Sequence, residues 1–222
     1  MLEDREYMRQ PSFEPRRLMT IGILVVNVLA YLAQLISYRA FPAASLGEMP
    51  PTDAVLALSM DGLRHGYVWQ LITFQFMHGS ILHLLLNSWG IYVFGRAVED
   101  AIGGARWLQL YLVSGVIGGL VQLGCSYMLP HFFGTAGLVG ASAGLYGLIG
   151  VFATLFPHQR LTLLLFFVLP ITLTARMLVV LSAVIAVLGL VLGGDGIAHA
   201  AHLGGMAAGI LLIRMMLNGR WP

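Results

Sequence analysis

Apolar stretches about as long as a bilayer is thick dominate this chain and limit what it can fold into. A helix needs about 20 mostly apolar residues to span a membrane. Charged residues make up only 10% of this chain, against about 25% in a soluble domain. We therefore predict an all-α, multi-pass integral membrane protein with six spans. They are Leu18–Tyr38, Ile81 to Phe94 or Ala97, Trp107–Leu129, Val139–Phe156, a helix within Leu163–Leu192 with an entry bend at Pro170, and Ala198–Leu217.

The arginines predict the direction in which these helices cross the membrane. Six spans place both termini on one side of a domain that covers residues 18–217, between a polar segment, 1–17, and a short tail, 218–222. The chain has no lysine, and all of its twelve arginines except Arg39 and Arg64 then fall on the side of the termini. Because cationic residues concentrate in cytoplasmic loops, we expect cytoplasmic termini in a bacterial cytoplasmic membrane. The first 17 residues are too polar to be a cleavable signal.

The composition gives no reason to expect nucleic acid, a metal or a disulfide. The net charge is only +2, and the single cysteine, Cys125, excludes an intrachain disulfide. The helical HExxH motif of zinc proteases is absent from the sequence. No carboxylate lies in the outer halves of the predicted spans to bind a metal together with the histidines. We therefore expect neither a metal nor an organic cofactor.

Polar side chains lie near the outer ends of three predicted spans. Ser142 comes early in the fourth span, His83 early in the second, and His199 and His202 early in the sixth. Since all three helices begin at the outer face, these side chains should meet at a common depth. Polar groups inside a membrane are costly and usually mark function. We interpret His78, at the membrane interface, as having no such role.

Small residues predict which of these groups meet. His202 shares a helix face with Gly205 and Gly209, and small residues let two membrane helices approach closely. We expect this face to pack on the fourth span and to bring the Ser142 hydroxyl within hydrogen-bond reach of His202. His199, nearer the surface, is expected to be a solvated neighbour. A serine becomes nucleophilic when a histidine accepts its proton. The small residues of the fourth span are Gly140, Ala143, Gly144 and Gly147.

Four further side chains have two interpretations each. His83 and Asn87 are four residues apart and share a face, so they either hold a developing oxyanion or only bond neighbouring helices. Tyr146, one turn after Ser142, either packs on the imidazole or simply fills space. Asp195, seven residues before His202, is interpreted as a turn residue rather than a third triad member.

Four stretches, in this order, resemble the rhomboid intramembrane serine proteases. The resemblance extends from about Trp69 to Gly209. It rests on WQLITFQFMHGSILHLLLN, VEDAIGGARWLQLYLVSGVIGG, GASAGLYGLIG and AHLGGMAAG. Two positions depart from the family pattern. The usual GxSG reads GASA, with Ala143, and the usual Trp-Arg pair reads Trp69-Gln70, so the anchoring of the first loop is expected to differ.

The resemblance implies roles for the residues collected above. Ser142 and His202 would be the catalytic dyad, and His83, Asn87 and the Ser142 backbone N–H would form the oxyanion site. Tyr146 would stack on the base, whereas Glu99, Gly140, Gly205 and Gly209 would be structural. The implied partners are transmembrane protein substrates in the lipid bilayer, cleaved near its outer face without a cofactor.

Two other functions make different demands on the sequence. A catalytically inactive rhomboid-like protein that binds membrane helices would be expected to lack the serine or the histidine, and both are present. A small transporter would need charged or amide side chains at mid-membrane depth, whereas the polar groups here gather near one face.

Overall fold

The computed structural model describes residues 17–42, 49–133, 137–165, 169–193 and 196–219. Asp195, most of the predicted N-terminal segment and residues 220–222 lie outside the described residues. In chain order, the helices are α1 (Leu18–Ala40), α2 (Pro51–Leu56), α3 (Met60–Arg64), α4 (Gln70–Thr73), α5 (Ile81–Ile102), α6 (Gly104–Met128), α7 (Pro130–Phe133), α8 (Ser142–Leu155), α9 (Ala175–Leu192) and α10 (His199–Leu217). A 3₁₀ turn, Phe74–Phe76, follows α4. A hairpin of β1 (Arg160–Leu165) and β2 (Leu169–Thr174) precedes α9.

The predicted all-α membrane architecture is confirmed. Within the described part of the chain, five helices are long and apolar enough to cross a membrane, namely α1, α5, α6, α9 and α10. The fourth predicted span is shorter than expected, because α8 has only 14 residues. At 1.5 Å per residue it is about 21 Å long, against about 30 Å for the hydrocarbon core. Most of its side chains are buried, and it packs between α6 and α10.

The entry to the fifth span differs from the prediction. We expected Pro170 to bend a helix there, whereas it lies in β2, opposite Leu164 of β1. Thr162 and Thr172 face each other across the hairpin, with their hydroxyl oxygens 3.1 Å apart. Helix α9 begins only at Ala175, where the Thr174 hydroxyl accepts a hydrogen bond from the Met177 N–H. Proline is tolerated in an edge strand, and alternating Leu and Thr favour a strand there.

A buried carboxylate joins the C-terminal end of α5 to the start of α1. Glu99 Oε1 accepts a hydrogen bond from the Met19 N–H at 2.9 Å, and Oε2 accepts one from the Thr20 N–H at 2.8 Å. The first N–H groups of a helix have no acceptor within it, and a negative charge is favourable there. Glu99 therefore caps α1 from another helix. Next to it, exposed Asp100 pairs with Arg17 at 2.9 Å.

We predict that Glu99→Ala lowers the free energy of unfolding by about 2–4 kcal/mol, because two buried N–H groups lose charged acceptors. Asp100→Ala is the matched control on the same turn and should cost about 1 kcal/mol or less, since its ion pair is exposed. Unfolding in mixed micelles, followed by circular dichroism, measures both. Equal losses for the two variants would contradict the capping role of Glu99.

Candidate active site

Glycines bring α8 and α10 almost into backbone contact. A Cβ atom at Gly205 would collide with the backbone carbonyl of Ala143, and one at Gly209 would collide with the carbonyl oxygen of Gly147. Helix α6 packs equally closely against α10, since a Cβ at Gly118 of α6 would lie 2.5 Å from the Ala201 carbonyl oxygen. Real Cβ atoms are not found this close to a backbone oxygen, so larger residues would push the helices apart.

This packing brings Ser142 and His202 together. The Ser142 Oγ lies 2.8 Å from Nε2 of His202, which is normal hydrogen-bond length. Ser142 is also the first residue of α8. Its backbone N–H therefore has no acceptor within the helix, and the positive end of the helix dipole lies beside the hydroxyl.

Tyr146 packs face to face against the His202 ring. The two rings are nearly parallel, with 7° between their planes and 4.2 Å between their centroids. Such stacking restricts rotation of the imidazole while leaving its nitrogen edge open toward Ser142. Of the two interpretations, the geometry favours contact with the imidazole over simple space filling.

His199 is not the solvated neighbour that we expected. It is only 7% exposed, and its ring fills the space beside Gly189 of α9, where a Cβ atom would collide with it. Its ring centroid lies 6.1 Å from that of His202, and the two rings are nearly perpendicular. The prediction was wrong because Gly189, ten residues earlier in the chain, leaves room for the imidazole.

His83 lies directly over the turn that leads into Ser142. Gly140 has φ +130°, and a Cβ there would lie 2.8 Å from His83 Nε2 and 3.6 Å from the Ser142 Oγ. A side chain at position 140 would thus be strained and would overlap the imidazole. Asn87, one turn further along α5, is buried. Its Nδ2 donor makes no hydrogen bond to any described residue.

His78, which was expected at the membrane interface, is buried within the protein. It is 1% exposed, and its Nδ1 lies 3.3 Å from the Phe76 carbonyl oxygen. Its backbone N–H donates to Gln34 Oε1 at 3.1 Å. Burial, with a smaller contribution from neighbouring His83, lowers the pKa of His78 to about 4. Its imidazole is therefore uncharged at neutral pH.

The departure at Trp69-Gln70 from the family pattern has a clear structural solution. The buried Gln70 amide accepts a hydrogen bond from the Ser59 N–H at 3.1 Å and donates one to the Ala54 carbonyl at 3.0 Å. Trp69 Nε1 donates to the Val55 carbonyl at 2.9 Å. An arginine has no acceptor atom, so it could not bind the Ser59 N–H in this way. Gln70 thus ties α4 to α2 and to the residue that precedes α3.

The other departure, Ala143, is accommodated by a neighbouring glycine. Its methyl group is buried and points toward Gly118 of α6, where an added Cβ would lie only 3.0 Å away. The extra carbon occupies space that a side chain at position 118 would otherwise fill. It therefore does not disturb the contact between Ser142 and His202.

One polar residue near the site was missed by the sequence reasoning. Gln122 of α6 is buried, and its Oε1 accepts a hydrogen bond from the Ala201 N–H at 3.3 Å. This bond satisfies an N–H in the first turn of α10, next to His202. An amide within an apolar span is itself a signal, but the sequence does not reveal its partner 79 residues away.

Known proteins resemble this chain over the part that carries these residues. The Rhomboid domain family matches residues 65–219. "Putative rhomboid protease YdcA" of Bacillus subtilis (strain 168) is 30% identical over 189 residues, which are 85% of this chain and 86% of that protein. "Rhomboid protein 1, mitochondrial" of Saccharomyces cerevisiae is 30% identical over 141 residues, 64% of this chain and 40% of the yeast protein.

A shorter similarity concerns "Rhomboid protease GlpG" of Haemophilus influenzae, which is 38% identical over 78 residues, 35% of this chain and 39% of that protein. The chain thus spans most of the B. subtilis relative but less than half of the other two. The family match includes every helix that carries a residue of the site, from α4 to α10. The chain belongs to the rhomboid family, which includes intramembrane serine proteases.

Proposed function

We propose that this protein is an intramembrane serine endopeptidase that cleaves transmembrane proteins near the outer face of the membrane. The observation that carries the proposal is the 2.8 Å separation between the Ser142 Oγ and His202 Nε2. Membership of a family that includes such proteases supports it, as do the protease names of the B. subtilis and H. influenzae relatives.

In the first step, Ser142 Oγ attacks the carbonyl carbon of the scissile peptide bond. His202 Nε2 accepts the hydroxyl proton as the new C–O bond forms. The protonated imidazole then gives this proton to the leaving amine as the C–N bond breaks. A water molecule, deprotonated by the same imidazole, then attacks the acyl carbon, and the imidazole returns the proton to Ser142 Oγ as the ester bond breaks. Stacking on Tyr146 keeps the ring in one orientation through both steps.

The oxyanion formed in each step needs donors that are already in place. The Ser142 N–H is one, because it opens α8 and has no acceptor within the helix. The Asn87 amide is a second, since its buried Nδ2 has no bond to a described residue. The His83 imidazole over Gly140 is a third. The glycine at position 140 leaves room for the His83 imidazole. The helix that begins at Ser142 leaves the Ser142 N–H without an acceptor inside the helix.

We predict that Asn87→Ala and His83→Ala each lower kcat by about 10²–10³-fold and change KM little, because these donors act on charge that develops only in the transition state. Ser88→Ala is the matched control. Its hydroxyl oxygen is also buried on α5 and makes no hydrogen bond within the described chain. Cleavage of a fluorogenic transmembrane peptide in vesicles measures all three. Loss of activity in Ser88→Ala as large as in Asn87→Ala would contradict the oxyanion role.

A fluorophosphonate probe tests the proposed function directly. We expect the purified protein to be labelled at Ser142, and labelling to disappear in Ser142→Ala and His202→Ala. An inactive protein that only binds membrane helices would not react, although it would still capture a transmembrane peptide. Labelling at another residue would contradict the assignment of the nucleophile.

The proposal also includes a membrane and an orientation. We infer a bacterial cytoplasmic membrane with cytoplasmic termini, and the distribution of the arginines supports this orientation. In the described chain, Arg39 and Arg64 lie at one end of the helices. The remaining described arginines lie toward the other end and are Arg17, Arg96, Arg106, Arg160, Arg176 and Arg214. Protease protection of an epitope tag at either terminus in inverted vesicles measures the orientation.

A further inference from the structure

A buried amide in α1 binds the segment that leads into α5. Gln34 is only 3% exposed, although it lies in a helix that is otherwise mostly apolar. Its Oε1 accepts a hydrogen bond from the His78 backbone N–H at 3.1 Å, across 44 residues of sequence. The Gln34 Nε2 points the other way, toward the Tyr38 hydroxyl and Asp53 Oδ1.

The groups around Nε2 fix the direction of this amide. The Tyr38 hydroxyl lies 2.6 and 2.8 Å from the two carboxylate oxygens of Asp53, in α2. Asp53 Oδ1 lies 3.5 Å from the Gln34 Nε2. A carboxylate accepts hydrogen bonds but does not donate them, so it holds the NH₂ end of the amide. The oxygen end is then directed at His78.

The segment held by Gln34 contacts the proposed active site at two points. The His78 ring meets the His83 ring edge-on, with 5.2 Å between the centroids and 69° between the planes. The carbonyl of Phe74, four residues before His78, accepts a hydrogen bond from the Gly140 N–H at 2.9 Å. A shift of this segment would thus move both His83 and the turn before Ser142.

We infer that Gln34 is a positioning residue for the oxyanion site, acting through the His78 backbone and ring on His83. This inference rests on the proposed function, because it names what keeps one of the proposed donors in place. Gln34 contacts neither the dyad nor the oxyanion itself. Its effect is transmitted through packed, uncharged groups.

The test compares Gln34→Met with Ser37→Ala. Methionine matches glutamine in length but leaves the His78 N–H without its acceptor. Ser37 lies one turn away on α1 and bonds Thr52 of α2, so Ser37→Ala removes a tie between the same two helices without touching His78. We expect Gln34→Met to lower kcat about tenfold through displacement of His83, with KM unchanged, and Ser37→Ala to retain wild-type kcat.

A double-mutant cycle separates positioning from general loss of stability. In a His83→Ala background, Gln34→Met should cause at most a small further fall in kcat, through the Phe74 contact with Gly140, because the imidazole that it positions is gone. A full additional tenfold loss would overturn the inference. Tyr38→Phe, which keeps the ring but removes the hydroxyl that holds the amide, should give the same pattern with a smaller loss.

Amide hydrogen exchange provides a measurement that needs no catalysis. Peptides covering residues 77–83 should exchange faster in Gln34→Met than in the wild type or in Ser37→Ala. Unchanged exchange would overturn the inference even if activity falls. If the wild type cleaves no substrate, the proposed function fails, and the exchange data still decide whether Gln34 holds His78 in place.

Discussion

Ser142→Ala and His202→Ala are each expected to lower peptide-bond cleavage by about 10⁴-fold or more, without loss of the folded state. In the proposed mechanism the serine supplies the oxygen that is acylated, and the histidine removes its proton. Because the two act as a unit, the double variant should be no less active than either single one. Cleavage of a model transmembrane substrate in reconstituted vesicles measures the rates, and circular dichroism checks the fold.

His199→Ala is the control for this experiment. It removes a buried imidazole from the same turn of α10, but one that packs beside Gly189 rather than against Ser142. Most of the activity should remain. The opposite pattern, in which His199→Ala abolishes cleavage and His202→Ala does not, would show that the wrong base was assigned.

The contact between Ser142 and His202 could be anticipated from sequence because it depends on two regular features. Helical periodicity places Gly205 and Gly209 on the face of His202, and small residues surround Ser142 on its own helix. Two such surfaces pack in few ways, since close backbone approach requires both to lack side chains. The burial of His78 and His199 could not be inferred in the same way. It depends on Gln34 and Gly189, which lie in other elements and have no periodic relation to the two histidines.

The hairpin and the buried amides were beyond sequence reasoning for a different reason. The alternation of Leu and Thr within residues 160–174 extends over only a few residues at each end of an apolar run. So short a signal does not by itself decide between strand and helix. Gln34 and Gln70 are visible as amides, but most of their partners lie in other helices and turns, and the sequence does not define where these lie relative to the amides. The positions of Ser59 and His78 relative to them are set by tertiary packing.

Gly205→Val should abolish cleavage while leaving every proposed catalytic residue in the chain. An added side chain at position 205 would overlap the backbone of Ala143, and backbone cannot rotate away as a flexible side chain can. The helices must therefore move apart next to Ser142. A displacement of about 1 Å can cost 10²-fold in rate, and overpacking costs about 1–3 kcal/mol of stability. Activity assays and thermal unfolding in detergent measure the two effects.

Gly22→Val is the matched control, because Gly22 is also a glycine in a membrane helix but has no atom within 4 Å of its added Cβ. It should retain wild-type activity and stability. Gly205→Ala, with one carbon instead of three, should fall between the two. A fully active Gly205→Val variant would mean that the separation of α8 and α10 does not control the reaction. A graded loss with side-chain volume would instead establish that helix spacing sets the distance between the Ser142 hydroxyl and the His202 imidazole.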